Sequence, residues 1–136
     1  MFAEDPNIIE VKSMDIDPAT GYPTVMYSVS KIFMMTKRET LIKLAVSKIE
    51  SGEHAGKHFC LVQSIMRDDF PVRKDAIRID MFKGSLLWND ENGDANFIEY
   101  STMDLKGYFP MRLLNMAVGS LIKKQMGAVY DKYVKI

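Results

Sequence analysis

Few residues of this chain combine the side-chain types and the spacing that catalysis or metal binding requires. His58 and Cys60 lie two residues apart on a predicted strand, so both side chains point to the same side, and His54 is close in sequence. A zinc site needs three or four nitrogen, sulfur or oxygen ligands in a tetrahedral arrangement, but the chain has only one cysteine and no other histidine. The pattern therefore predicts no metal site and no cofactor.

Two pairs of acidic residues could supply acid–base chemistry, as paired carboxylates do in catalytic clefts. Asp15 and Asp17 precede a proline, and Asp68 and Asp69 fall in a charged connection, where short acidic segments commonly form turns. The chain has no G-x-S-x-G nucleophile motif, and segment 91–94 lacks the lysine and following helix of a phosphate-binding loop. We therefore predict no catalytic residues and a protein that is not an enzyme.

Composition narrows the class of protein. The 136 residues fit a single domain, 1–136, and 18 basic and 18 acidic residues give a net charge of +0, which offers no electrostatic basis for binding nucleic acid. The single cysteine excludes an intrachain disulfide. The first ten residues do not resemble a secretory signal, and no apolar run approaches the ~20 residues of a membrane span. We expect a soluble, cytosolic domain.

Strand-like segments dominate the first three-quarters of the chain, because β-branched, aromatic and alternating apolar residues recur between turn signals. The last of the turns, 90–94, contains Asn-Gly, a strong hairpin signal. Lys83–Gly84 is predicted to be a further turn, although the two segments that flank it could instead be one bent strand pair with a bulge. The predicted strands are 7–16, 24–32, 40–49, 58–66, 76–82, 85–89 and 97–105.

A long amphipathic helix is predicted to follow Pro110, since proline suits the first turn of a helix. Strands in series followed by a helix indicate an α+β fold with an antiparallel sheet. A curved sheet packed on the helix would form a helix-grip architecture, in which the space between them is either a packed core or a ligand cavity. Apolar residues recur near the helical period at Leu114, Ala117, Val118, Leu121, Ile122, Val129 and Tyr133.

Methionine is frequent in this chain, which has 11 of them. Methionine lines adaptable apolar surfaces as well as filling gaps in cores. Met34 and Met35 are adjacent in the predicted loop 33–39, so they either fold onto the core or remain at the surface.

Three stretches of the sequence resemble the START family of lipid-binding domains. The stretch 32–40, IFMMTKRET, is similar to a loop and strand start in which the family commonly has Arg-Asp, and Arg38 and Glu39 match it in kind. The stretch 76–79, AIRI, is similar to the family's Gly-hydrophobic-Ile-Arg strand. The most specific match, within 104–115, consists of Asp104, Gly107, Phe109, Pro110, Leu113, Leu114 and Asn115. The resemblance extends from about Asn7 to Ile136.

The resemblance implies a fold in which a curved antiparallel sheet and a C-terminal helix enclose one lipid. It implies non-enzymatic lipid binding, transfer between membranes or lipid sensing, with transient membrane contact by a cytoplasmic protein that is peripheral at membranes. Phe33, Met34 and Met35 would belong to a gate loop at the mouth of the cavity.

The resemblance also implies candidate cavity residues. Val25 and Leu44 align with a buried Glu and Arg of sterol-binding members, whereas Tyr27 and Phe82 align with aromatic residues that enclose choline in a phosphatidylcholine-binding member. Arg78 either faces solvent, which its alternation with Ile77 and Ile79 favours, or reaches a lipid head group. The candidates are Val25, Tyr27, Leu44, Arg78, Phe82, Leu114, Val118 and Leu121.

The sequence departs from the family at its start, because the family's N-terminal helix and first strands have no counterpart. We expect a homodimer that covers the incomplete sheet edge, or a longer native chain that supplies the missing segment. Two other classes stay open. One is a helix-grip enzyme of the cyclase or hydrolase type, for which His58 is the only plausible base. The other is a remnant without a cavity that serves protein interaction.

Overall fold

The computed structural model describes residues 7–31 and 35–107, together with 110–112, 115–116, 119–120, 122–124 and 126–127. The chain divides into two compact units, Met1–Lys106 and Gly107–Ile136. The first unit is a seven-stranded sheet. Its strands are β1 (Ile8–Ile16), β2 (Pro23–Ser30), β3 (Lys37–Lys48), β4 (His58–Ser64), β5 (Ala76–Arg78), β6 (Asp80–Asn89) and β7 (Ala95–Asp104).

The sheet is curved and largely antiparallel, with the order β1-β2-β3-β4-β6-β7. The short strand β5 lies off this path and pairs in parallel with the start of β3. Neighbours along the path follow one another in sequence except around β5, so hairpin-like connections build most of the sheet. This confirms the prediction of strands in series.

The turns predicted at the far ends of the hairpins are formed as expected. In the β1–β2 turn, the Asp17 carboxylate accepts hydrogen bonds from the Ala19 amide at 2.9 Å and from the Thr20 hydroxyl at 3.1 Å. In the β6–β7 turn, Gly93 has a φ of 85°, a left-handed conformation that glycine adopts without strain. Local turn chemistry thus fixes both hairpins.

The predicted turn at Lys83–Gly84 is wrong, because β6 runs unbroken through both residues. Gly84 pairs with Leu61 on one side and with Tyr100 on the other. A Cβ at position 84 would lie 3.8 Å from the Phe59 ring, an ordinary van der Waals distance, so the neighbours of position 84 do not require a glycine there. Segments 76–82 and 85–89 are therefore not separate strands that meet at a turn.

The chain instead breaks at Ile79, where it leaves β3 and joins β4. The Ile79 amide donates to the Glu39 carbonyl at 3.0 Å, which ends the pairing with β3. The Ser64 hydroxyl then accepts a 2.8 Å hydrogen bond from the Met81 amide. These two hydrogen bonds satisfy backbone amides that the change of partner strand from β3 to β4 would otherwise leave unpaired.

The main hydrophobic cluster lies on one face of β2 and β3. Val25, Tyr27, Val29 and Leu41 are buried there, because alternate residues of a strand point to the same face. The cluster is covered from outside the sheet by Phe70 and Ile65, which follow β4. This part of the sheet therefore has a filled core.

In the second unit, the described residues at 111–112, 115–116, 119–120, 122–124 and 126–127 are helical. The prediction of one long C-terminal helix is not supported, because helical structure is described only in these short segments. Leu114, Val118, Leu121, Val129 and Tyr133 lie outside the described residues. Within the part of the chain that is described, no helix is long and apolar enough to span a membrane.

Candidate functional site

Three connections of the chain meet at one end of the sheet. Strands β2, β4 and β7 end there, whereas β3, β5 and β6 begin there, as the pairings of Ser30 with Arg38 and of Asp80 with Asp104 require. We call residues 35–36, 65–75 and 105–106 the crossover end. The opposite end holds the turns 17–22 and 90–94 and the loop 49–57.

The centre of the crossover end is a buried carboxylate. The Glu39 side chain is 0% exposed and accepts three hydrogen bonds. The donors are the Tyr27 hydroxyl at 2.7 Å, the Arg78 Nε at 3.0 Å and the Arg73 backbone amide at 3.1 Å. A buried charge is tolerated only when it is paired and hydrogen-bonded, and here both conditions are met.

Tyr27 serves this network as a hydrogen-bond donor. Burial raises the pKa of Tyr27 to about 12, and the hydrogen bond to the Glu39 carboxylate acts in the same direction. The phenol therefore stays protonated at physiological pH, so Tyr27 has no acid–base role there.

Arg78 links the carboxylate to the covering segment. Its Nη2 donates to the Phe70 and Pro71 carbonyls, both at 3.3 Å, while its Nε holds Glu39. The Phe70 ring lies against the Tyr27 ring, with a centroid distance of 4.5 Å and an interplanar angle of 58°. The expectation that Arg78 faces solvent is wrong, because the side chain is only 12% exposed and its charge is paired inside the fold.

Arg73 fastens the same segment from the outside. Its guanidinium contacts Glu10 at 2.8 Å and Asp75 at 2.9 Å, and Asp75 also pairs with Lys37 at 3.2 Å. Hydrogen bonds from Arg73 and Lys37 hold the pKa of the Asp75 carboxyl well below its usual range. The 65–75 connection is therefore tied to β1, β3 and β5 at once.

A second buried arginine fixes the other part of the crossover end. Arg38, which is 4% exposed, donates from Nη1 to the Thr36 carbonyl at 2.6 Å. Its Nε and Nη2 donate to the Leu105 and Lys106 carbonyls at 3.0 and 3.1 Å. One side chain thus joins the loop before β3 to the segment after β7.

A cavity of about 400 Å³ lies beside these two clusters. Its apolar lining includes Ile65, Phe70 and Val72, and its charged lining includes Arg67, Arg78 and Lys106. The cations already have partners, since Arg67 pairs with Asp15 and Asp69, Arg78 with Glu39 and Lys106 with Asp80. An anionic group that enters this cavity has to compete with those carboxylates.

A smaller cavity of about 290 Å³ lies farther along the sheet, lined by Gln63, Phe82 and Thr102 among others. The Phe82 ring meets the Tyr100 ring edge-on at a centroid distance of 6.5 Å. This cavity is mixed in character, with two aspartates, Asp80 and Asp104, at its border.

The register shows which predicted cavity residues share a face. Val25 is followed across the sheet by Lys43, Gln63 and Phe82, so Val25 and Phe82 lie on one face. Tyr27 lies on that face as well. Leu44 lies on the opposite face, because it is adjacent to Lys43 in the same strand.

Tyr27 and Phe82 do not form one aromatic enclosure. Their strands are separated by three strand spacings, roughly 14 Å. Tyr27 is 1% exposed, with its ring against Phe70 and its hydroxyl bound to Glu39, so it offers no open ring face to a trimethylammonium group. Val25 and Tyr27 are buried in the filled core, whereas Phe82 is partly exposed. Met35 is half-buried; Phe33, Met34, Leu114, Val118 and Leu121 lie outside the described residues.

Glu39 and Arg73 are the residues whose roles sequence reasoning missed. The signal was present, since Arg38 and Glu39 are adjacent charges at the start of a strand whose next residues are apolar. His58 and Cys60 share a face of β4 as expected, but His58 is exposed at the far end of β4 from both cavities. Across the described residues, no three His, Cys, Asp or Glu side chains form a group that could hold a metal ion.

Comparison with solved structures assigns this sheet to a known fold. Human STARD10 matches with a TM-score of 0.71 and 20% identity over 96% of this chain and 53% of that chain. Human StAR-related lipid transfer protein 5 matches with a TM-score of 0.59 and 14% identity over 92% and 57% of the two chains. A fragment of the STAR-related lipid transfer protein from Xanthomonas axonopodis matches with a TM-score of 0.57 and 20% identity over 83% and 60%.

The chain therefore has a START-like fold, as its sequence predicts. It spans between 53% and 60% of the length of these structures. No family model matches the sequence, and no curated protein matches it at a significant level. At this degree of identity the likeness establishes the fold.

Proposed function

We propose that this chain binds a lipid without catalysing a reaction on it and carries or senses that lipid at membranes. The observation that carries the proposal is the START-like fold, which extends over 96% of the chain in the match to human STARD10. The two other solved structures are named as lipid transfer proteins. A cytosolic protein with transient membrane contact would suit this role.

The cavity at the crossover end is our candidate for the polar part of the site. Its volume of about 400 Å³ lies within the range of small-ligand pockets, and its walls combine apolar side chains with three cations. Because those cations are paired with carboxylates, the cavity favours a zwitterionic or neutral head group over a purely anionic one.

The apolar lining of the same cavity is our candidate for contact with the lipid's apolar part. Ile65, Phe70 and Val72 supply it, beside Arg78, on the face of the sheet that carries Tyr27. Leu44 lies on the opposite face and does not line this cavity.

We propose membrane contact at the crossover end for a separate reason. Met66 is 94% exposed and Val72 is also exposed, although both follow a strand whose other apolar residues are mostly covered. Lys74 stands nearby in sequence, and basic residues near a surface are attracted to anionic lipids. Exposed apolar side chains beside basic ones suit insertion into a head-group layer.

Native mass spectrometry of the full chain after incubation with mixed vesicles tests the proposal. The vesicles contain phosphatidylcholine, phosphatidylserine and cholesterol, and bound mass is identified by lipid extraction. We expect one lipid per chain. A chain that leaves the vesicles with no bound lipid at any ratio contradicts the proposal.

Two matched pairs of variants locate the site. Val72→Trp narrows the mouth of the larger cavity and should reduce lipid uptake at least fivefold, whereas Val46→Trp, at an exposed position near the other end of β3, should not. Met66→Glu should weaken vesicle binding, whereas Val46→Glu, at the same exposed position near the other end of β3, should leave it unchanged. If the two variants of the first pair reduce lipid uptake equally, the cavity is not the site. If the two variants of the second pair weaken vesicle binding equally, the crossover end is not the membrane contact.

A protein-interaction module is the second candidate function. It is favoured by the filled core beneath the 65–75 connection, where Val25, Tyr27, Val29 and Leu41 leave little empty space. A folded chain that takes up no lipid but co-purifies with a defined protein partner would support this candidate instead. Lipid uptake with the variant pattern above would exclude it as the main role.

A further inference from the structure

In the described part of the chain, strand β7 pairs on one side only and carries apolar side chains. Among the described residues it hydrogen-bonds to one neighbour, β6, and every residue from Phe97 to Asp104 is exposed. A strand edge with free backbone groups and apolar side chains is a template for pairing with another strand. The exposed apolar side chains on β7 are Phe97, Ile98, Tyr100 and Met103.

The two edge strands of the sheet, β1 and β7, differ in how well they are protected against pairing with a strand of another chain. Edge strand β1 carries a register irregularity between Ile8 and Glu10, a feature that discourages edge pairing. Strand β7 pairs with β6 over ten consecutive residues without a shift, from Asp80–Asp104 to Asn89–Ala95. A straight, regular edge of this length is suited to accept a partner strand.

We propose that β7 pairs antiparallel with β7 of a second copy of this chain, with Tyr100 on the two-fold axis. The pairing would join two sheets into one continuous sheet. A two-fold axis perpendicular to the sheet keeps each face on its own side, so residues can pair only with residues of the same face. The residue on the axis then fixes all the other pairs.

Placing Tyr100 on the axis gives complementary neighbours on both faces. Tyr100 meets its own copy, and Ile98 meets Thr102 on the same face, where aromatic and β-branched pairs are favourable. On the other face, Phe97 meets Met103, a sulfur–aromatic contact, and Glu99 meets Ser101, whose hydroxyl can donate to the carboxylate. Because Phe82 already contacts Tyr100, four rings would cluster across the axis.

The neighbouring registers are worse for identifiable reasons. Glu99 on the axis would place two carboxylates directly opposite each other, each with one lysine, Lys83, as its salt-bridge partner, and like charges in that position destabilise a pair of strands. Ile98 on the axis would set Phe97 against Glu99. Ser101 on the axis would set Glu99 against Met103 and Ile98 against Asp104. Each alternative pairs a carboxylate with another carboxylate or with an apolar side chain.

Cysteine cross-linking tests this register directly. In a Cys60→Ser background, Tyr100→Cys places two thiols opposite each other, at a separation that a disulfide can bridge with little adjustment. Ile98→Cys is the matched control, since it lies on the same face with 63% exposure against 65% for Tyr100. In the proposed register the two copies of position 98 are roughly 13 Å apart. We expect Tyr100→Cys to form disulfide-linked dimers at least tenfold faster than Ile98→Cys.

Light scattering during size-exclusion chromatography tests the association itself. The unmodified chain should run at twice its 15.5 kDa mass, and Tyr100→Lys should run as a monomer, because a buried lysine pair would repel. Val46→Lys, at another exposed apolar position, should leave the dimer intact. A monomeric unmodified chain, or equal cross-linking at positions 98 and 100, overturns the proposal. Lipid uptake is measured separately, so either proposal can fail without the other.

Discussion

Glu39 and Arg78 lie opposite each other on the parallel strands β3 and β5, and the Arg78 Nε is 3.0 Å from the Glu39 Oε1. This pair is 39 residues apart in sequence and nearly inaccessible to solvent. It joins the sheet to the 65–75 connection, because the same guanidinium holds the carbonyls of Phe70 and Pro71. The crossover end therefore depends on one ion pair at its centre.

Removal of the Glu39 carboxylate should be strongly destabilising. Glu39→Ala leaves the buried Arg78 charge without its partner and the Tyr27 hydroxyl without its acceptor, and breaking a buried pair in this way costs about 3–5 kcal/mol. Urea unfolding followed by circular dichroism measures the loss. Glu53→Ala, at an exposed loop position, should change the free energy of unfolding by less than about 0.5 kcal/mol. Similar losses for the two variants would contradict the role of Glu39.

Because the pKa of Tyr27 is raised in the folded state, the free energy of unfolding should fall at alkaline pH. The folded-state pKa is about 12 and the ordinary value is 10.0, so the contribution is complete below pH 10.0 and is lost as pH rises towards 12. The loss should amount to about 2–3 kcal/mol. Tyr27→Phe should lack this part of the alkaline decline. The difference in unfolding free energy between the two proteins at pH 8 and pH 11 measures about half of this loss, roughly 1.4 kcal/mol, because pH 11 lies midway between the two pKa values; a constant difference would refute it.

Asp75 makes the opposite contribution in acid. Arg73 and Lys37 lower its pKa in the folded state, so its stabilising effect is present above the ordinary value of 3.8 and is lost as pH falls below it. Asp75→Asn should be less stable than the unmodified chain at pH 6. The two should approach each other in stability at pH 3 and below. Urea midpoints at both pH values test this, and a gap that widens in acid would show the sign to be wrong.

Arg38 should control local opening after β7. Its guanidinium satisfies the carbonyls of Thr36, Leu105 and Lys106, which Arg38→Met would leave without that donor. Hydrogen exchange of the amides around Asp104 should accelerate roughly tenfold or more, with smaller changes in β1. Arg38→Lys should be intermediate, because one ammonium cannot reproduce the fork of the guanidinium. Unchanged exchange in both variants would mean that Arg38 does not hold this segment.

Two valines provide a matched test of the core. Val29 is 0% exposed within the cluster of Tyr27 and Leu41, whereas Val46 is 68% exposed near the end of β3. Val29→Ala should cost about 1.5–3 kcal/mol, since it removes buried methyl groups and leaves a space. Val46→Ala should cost less than about 0.5 kcal/mol. Chemical denaturation of the two variants under identical conditions measures both losses in the free energy of unfolding.

Much of the sheet could be predicted because its signals are local. The Asp17 turn and the Asn-Gly turn of 90–94 are encoded in a few adjacent residues, and both are formed. The error at Gly84 has the same origin, since glycine after lysine is a common turn signal in isolation. Only the neighbouring strands β4 and β7, which pair with Gly84 on its two sides, show that β6 continues through this position. A local pattern cannot register a neighbour that arrives from another part of the chain.

The sequence by itself predicted a strand-rich chain with its strands in series, because alternation and turn residues act within short windows, and its resemblance to a known family predicted the START-like fold. The tertiary structure alone decided that Arg78 turns inward to Glu39, that Tyr27 and Phe82 are separated by three strand spacings, and that Leu44 faces away from both. These relationships depend on which strands become neighbours and in which register they pair. A shift of one residue reverses every side chain of a strand, so no single strand specifies its face without its partners.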